Sequence, residues 1–142
     1  MKRILVALDS SDRAPRVLEA ARRLAEYSDG TLVLFRAITV PYEFPRSLGN
    51  SMEPRLEDML LRRANEDLQQ LASLVPKQLV ERIATDFATP WDGICRAARE
   101  YDVDLIAIGS HGYGALDHLL GTTAAKVVNH ADRNVLVVRT PL

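Results

Sequence analysis

Four short apolar runs, separated by segments of helical periodicity, limit what this chain can become more than any other feature of it. Ile4-Leu5-Val6-Ala7-Leu8, Leu32-Val33-Leu34-Phe35, Leu105-Ile106-Ala107-Ile108 and Val135-Leu136-Val137-Val138 are continuously apolar, as expected of strands buried on both faces. A fifth segment, Val80 to Phe87, mixes Glu81, Arg82 and Asp86 with apolar residues and suits a strand at a sheet edge. Between these segments the period changes to that of helices. Ala14, Val17, Leu18, Ala21 and Leu24 share one face, and so do Leu56, Met59, Leu60, Ala64, Leu68, Leu71 and Val75. Trp91, Ile94, Cys95 and Ala98 form a third apolar face, and Ala124, Val127, Val128 and Ala131 a fourth. The alternation β-α-β-α-β-α-β-α-β predicts an α/β fold: an open, five-stranded, mainly parallel sheet with helices on both faces. With 142 residues and no linker, repeat or low-complexity tract, the expectation is one domain spanning residues 1–142.

Local signals mark the element ends. Asp9-Ser10-Ser11-Asp12 offers N-cap candidates for the first helix, Pro15 fits its first turn, and Asp29-Gly30 closes it. Val40 to Asn50 contains Pro41, Pro45 and Gly49 and reads as a long loop, and Pro76 stops the second helix. Thr89-Pro90-Trp91-Asp92 predicts a helix start with Thr89 as N-cap and Asp92 completing a capping box. Arg62 with Glu66 and Arg63 with Asp67 are expected as solvated i,i+4 pairs on the outer face of the second helix.

Composition removes several classes of function. Eighteen Lys and Arg against nineteen Asp and Glu give a net charge of -1, so there is no global basic field and no nucleic-acid partner is expected. No apolar run is long enough to span a membrane, and no signal peptide is evident, so the expectation is a cytoplasmic protein. The single cysteine, Cys95, excludes an internal disulfide and a CxxC metal site, and on an apolar helix face it reads as a small core residue. His111, His118 and His130 have no metal-ligand spacing between them.

In an open α/β sheet, ligands bind beyond the carboxyl ends of the strands, where the strand order reverses. The positions to examine are therefore Asp9, Arg36 to Thr39, and Gly109 onward. Three of the seven glycines, Gly109, Gly112 and Gly114, fall within six residues directly after an apolar strand, and Gly121-Thr122-Thr123 follows. Glycines there let backbone N–H groups approach an anion, and a helix starting near Thr122 adds free N–H groups and two hydroxyls. Such glycines also serve plain tight turns, and familiar motifs do not decide between the readings: there is no GxxxxGK[ST], no complete GxGxxG and no GxSxG.

The whole chain, from about residue 2 to 140, resembles the universal stress protein family. Ile4 to Ser11 looks like that family's opening strand and loop, and Asp104-Leu105-Ile106-Ala107-Ile108-Gly109-Ser110-His111-Gly112 like its fourth strand and first glycine pair. Gly121-Thr122 resembles the closing Gly-Ser/Thr, and Asn134 to Val138 the final strand. The resemblance implies a Rossmann-like fold of the adenine nucleotide alpha hydrolase type, and a site for ATP, with Mg²⁺. In nucleotide-binding members, Gly, two residues, Gly, nine residues and Gly-Ser/Thr hold the ribose and phosphates. Here eight residues, Tyr113 to Leu120, separate the second and third glycines. By position, Gly109, Gly112, Gly121 and Thr122 would meet phosphate with Thr123 beside them, Ser110 and His111 lying within the loop. Ala7, Asp9, Ala37 and Ile108 would frame the adenosine, and Asp9 is the candidate to reach a metal through bound nucleotide.

An apolar edge strand guarded only by Arg139 invites pairing with its own copy, so a homodimer through the strand from Asn134 to Arg139 is expected, and the family implies the same. The expected role is a nucleotide-dependent stress-response switch or protective factor. Catalysis is not expected, since no nucleophile–base pair, placed lysine or carboxylate pair accompanies the glycines. Two alternatives stand beside it. One is a slow hydrolase using Asp9 for metal and His111 as acid or base; the other is a dimeric interaction module whose shortened loop has closed the pocket.

Overall fold

The structure is a computed structural model that describes residues 2–39, 54–111 and 120–140. The expected Val40 to Asn50 loop, Gly112, Gly114 and His118 lie outside the described residues. The elements follow in the order β1 (Arg3–Ala7), α1 (Ala14–Ser28), β2 (Thr31–Ile38), α2 (Pro54–Ala72), a 3-10 turn (Lys77–Leu79), β3 (Val80–Phe87), α3 (Pro90–Glu100), β4 (Leu105–Gly109), α4 (Thr122–His130) and β5 (Asn134–Val138). The strands form one sheet in the order β3-β2-β1-β4-β5, with every neighbouring pair parallel.

The chirality of parallel crossovers explains where the helices go. From β1 to β3 the chain steps one way across the sheet, and from β3 it returns past β1 to β4 and β5; right-handed crossovers then put the helices of the two halves on opposite faces. Alternation along β1 joins both cores. Ile4, Val6 and Leu8 pack with α1 and with Leu68 of α2, whereas Leu5 packs with Ile94 and Ala98 of α3 and Val127 of α4. Cys95 is buried in this second core, and burial raises its thiol pKa, which disfavours the reactive thiolate. At the opposite end of the sheet from the strand C-termini, Asp104 fastens β1 to β4: its Oδ2 accepts the N–H groups of Lys2 and Arg3, each at 2.9 Å.

Several local expectations change in the structure. β2 runs through Ile38, because Arg36, Ala37 and Ile38 remain in register with Thr85, Asp86 and Phe87 of β3, so Arg36 and Ala37 lie within the strand and not after it. The N-cap position of α1 is Arg13, with no side-chain cap; Asp9 instead closes the preceding turn by accepting the N–H and hydroxyl of Ser11 at 2.9 and 2.6 Å. Thr89 does occupy the N-cap of α3, but no side-chain capping bond forms, and Asp92 pairs with Arg96 one turn on, at 3.0 Å. Asp67 likewise reaches Arg36 at 3.0 Å, across to the sheet, where pairing with Arg63 was expected. The close of α1 matches its signal: Asp29 takes a left-handed φ of 53° and the Gly30 N–H returns to the Ala25 carbonyl. No described helix is long and apolar enough to cross a membrane.

Candidate functional site

The strand order reverses between β1 and β4, and there the two outgoing connections part to opposite faces and leave a crevice. A cavity of about 1010 Å³ opens at this point, beyond the C-terminal ends of β1, β2 and β4. Its sequence-predicted lining consists of Ala7 and Asp9 from β1 and its turn, Ala37 from β2, Ile108 and Gly109 from β4, and His111 and Thr123 beyond them. Phe35, Ile38 and Ile94 extend the apolar part of the wall.

Among the other predicted residues that the structure describes, Ser110, Gly121 and Thr122 do not line the cavity. Ser110 is fully buried as a stitch between elements: its N–H donates to the Val138 carbonyl at 2.9 Å and its carbonyl accepts the Gly121 N–H at 2.8 Å. The Gly121 N–H is therefore spent on holding the start of α4, for which Gly121 is the N-cap residue. Thr122, the first helical residue, is exposed, and the helical rotation turns Thr123 and Ala124 inward in its place. The first-turn amides of α4 lack intrahelical acceptors, as in any helix, and no acidic residue occupies that turn.

Arginines shape the site more than the sequence reading anticipated. Arg36, one of the positions flagged for inspection, is only 11% exposed at its side chain. Its Nε donates to the Leu8 carbonyl and its Nη2 to the Asp9 carbonyl, both at 2.9 Å, while Nη1 bonds Asp67 of α2 at 3.0 Å. It thereby fixes the turn that presents Asp9. Arg13, from the start of α1, and Arg63, from α2, also line the cavity; the first was not singled out beforehand, and the second was expected only as a solvated partner of Asp67. Three guanidinium groups against the carboxylates of Asp9 and Asp67 make the lining locally cationic in a chain of net charge -1. Sequence reading missed this because the three arginines come from separate elements that only the fold brings together.

Thr140, just past β5, completes the arrangement. It is fully buried, its hydroxyl lies 3.1 Å from His111 Nδ1, and its carbonyl accepts from Arg13 Nε at 3.1 Å. A Cβ on Gly109 would lie 3.1 Å from Val17 Cγ2, so glycine lets α1 sit close against the end of β4. Among the described residues no group of three or more His, Cys, Asp or Glu side chains could hold a metal ion. Chemically, the site combines an apolar slot, one carboxylate at the β1 turn and several cationic donors, a combination suited to a ligand with a flat apolar part and an anionic tail.

Comparison with known proteins agrees with this architecture. The model of the universal stress protein family matches residues 1–139. Universal stress protein A homolog 2 of Coxiella burnetii is 33% identical over 143 aligned positions, covering 97% of this chain and 94% of that protein. Among solved structures, universal stress protein UspA from Lactobacillus plantarum superposes with a TM-score of 0.72 at 25% identity, with 97% of each chain covered. The universal stress protein of Archaeoglobus fulgidus, solved in complex with dAMP, gives a TM-score of 0.68 at 25% identity over 96% of this chain and 97% of that one. On the family match along nearly its whole length and the relative sharing a third of its residues, this chain belongs to the universal stress protein family.

Proposed function

We propose that the cavity binds an adenine nucleotide, ATP with Mg²⁺, and that the protein acts in the cytoplasm as a nucleotide-dependent stress-response switch or protective factor. The observation that carries this reading is the cavity at the β1/β4 reversal, apolar along Ala37 and Ile108 and cationic toward its arginines. A purine face suits the apolar slot, and Asp9 is placed to accept from a ribose hydroxyl or the adenine amine. The dAMP complex of the Archaeoglobus fulgidus relative supports the choice of an adenine nucleotide over other flat anions. Mg²⁺ would arrive on the phosphates, with the Asp9 oxygen that Ser11 does not engage as the protein's carboxylate toward it.

The proposed role is binding without turnover. The hydroxyls beside the two candidate acid–base groups are held inside the protein: those of Ser110 and Thr140, next to His111 Nδ1, belong to fully buried residues, and that of Ser11 is spent on Asp9. Titration calorimetry of nucleotide-stripped protein with ATP and Mg²⁺, beside an Ala37→Trp variant that fills the slot, tests the reading. Saturable binding that disappears in a still-folded variant is the expected result. A folded parent protein that takes up no nucleotide overturns it.

A further inference from the structure

Arg13 is half-buried, lines the cavity and uses one donor, Nε, on the Thr140 carbonyl at 3.1 Å. Its terminal amino groups have no acceptor among the described residues. Arg36 differs, since its Nε and both terminal nitrogens are spent on Leu8, Asp9 and Asp67. Arg63 differs too, being exposed on α2 on the other side of the site. The anchor of Arg13 also fixes which end of the cavity it serves. Thr140 accepts Arg13 with its carbonyl and meets His111, two residues past β4, with its hydroxyl, so the guanidinium and the segment leaving β4 share one buried residue. The missing side chain of Gly109 leaves room for Val17, in the first turn of α1, beside that same strand end. Asp12, its neighbour in the chain, and Asp9, in the same lining, form no ion pair with Arg13 among the described residues. A guanidinium held by one bond, with its paired N–H fork unspent, is the donor geometry that recognises phosphate oxygen atoms.

Resting on the nucleotide reading above, we propose that Arg13 is a specificity-determining residue that contacts the phosphate chain, so that affinity rises from adenosine through the monophosphate to the di- and triphosphate. The phosphate end is then held from α1 as well as from the first turn of α4, where Thr123 lines the cavity, and adenosine, which reaches only the apolar slot, gains nothing from Arg13.

The test is calorimetric titration of the full chain with adenosine, AMP, ADP and ATP, comparing the parent with Arg13→Met and Arg13→Lys. Arg13→Met is expected to weaken ATP about ten- to hundredfold, the loss of one charge-assisted interaction, and to leave adenosine within about twofold. Arg13→Lys, which keeps the charge and loses the fork, is expected between parent and Met for ATP and serves if Met fails to fold. An unchanged ratio of ATP to adenosine affinity in both variants overturns the role of Arg13 while leaving the nucleotide reading intact, as does an equal loss for all four ligands, the signature of a purely structural tie to Thr140. A folded parent that binds none of the four overturns both.

Discussion

Arg36 stands inside β2, where a charged side chain is costly, and it keeps that place because its Nε and both terminal nitrogens are bonded to Leu8, Asp9 and Asp67. Replacing it with Met preserves much of the stem but leaves the Leu8 and Asp9 carbonyls without their donor. We expect Arg36→Met to cost about 1–3 kcal/mol of stability, read from denaturant midpoints, and a midpoint equal to the parent's would refute the assignment. Asp104 supports the opposite end of β1. The N–H groups of Arg3 and then Lys2 hold its carboxyl below the usual carboxylate range. A depressed folded-state pKa gives stability that is complete above the unfolded value, about 4, and is lost as pH falls through the lower folded value. Asp104→Asn keeps an oxygen acceptor and removes the charge, so the deficit of the variant against the parent should be constant from about pH 5 to 7 and shrink in acid. Urea titrations across that range decide it, a deficit that grows on acidification being the contrary result. Glu19, lowered to about 2 by its hydrogen bond with Arg22, acts in the same direction in both proteins and drops out of the comparison. Arg36 was visible in the sequence as a charge directly after an apolar run. Its partners were not, because they lie on the β1 turn and on α2, and only the sheet brings them within reach.

At the scale of elements, periodicity located the helices and strands well, whereas chemistry at their ends was overridden by neighbours. Thr89 and Asp92 have the spacing of a capping box, yet Asp92 finds Arg96 one turn on, and the α3 start depends on Pro90 and on the backbone bond from Gly93 to Thr89. β2 outran its apolar run because register with β3 continues through Ile38. The packing of α3 over the sheet was also illegible, and it rests on Gly93. A Cβ there would lie 2.9 Å from the Ala88 Cβ and 3.4 Å from the Ala37 Cβ, both short side chains that cannot swing aside. Helix propensity alone makes Gly→Ala favourable by about 1 kcal/mol within a helix, while overpacking of this kind costs about 1–3 kcal/mol. The steric term is expected to win. Gly93→Ala should therefore lower the midpoint of thermal unfolding and, by pushing α3 off Ala37, disturb one wall of the cavity. A rise in the midpoint would mean that α3 yields at no cost and that propensity decides.

For the molecule as a whole, parallel topology and the placing of the site beyond the strand C-termini followed from the order of elements, because handedness leaves few ways to connect them. The polar residues of β3 marked it as an edge strand, and it stands at one edge of the sheet. β5 stands at the other, although Val135, Leu136, Val137 and Val138 are apolar and only half-buried. An edge of that composition exposes unpaired backbone groups beside apolar side chains, and a second copy of the same strand would cover both. The register states which groups are open. The Val138 carbonyl accepts the Ser110 N–H, so Val138 faces β4, and by the alternation of a strand the N–H of Val137 faces away from the sheet. Proline at position 137 removes that outward donor without taking a bond from the β4–β5 ladder, a substitution edge strands tolerate. The expectation is that the parent sediments as a dimer and Val137→Pro as a monomer with unchanged far-ultraviolet dichroism. A parent that stays monomeric at high concentration would mean that β5 is left open, and a variant that stays dimeric would move the contact to another face. Because Thr140 stands two residues past β5 and is bonded to Arg13 and His111, loss of the β5 contact should also be felt at the cavity, so nucleotide affinity measured on the monomeric variant tells whether the edge and the site are coupled.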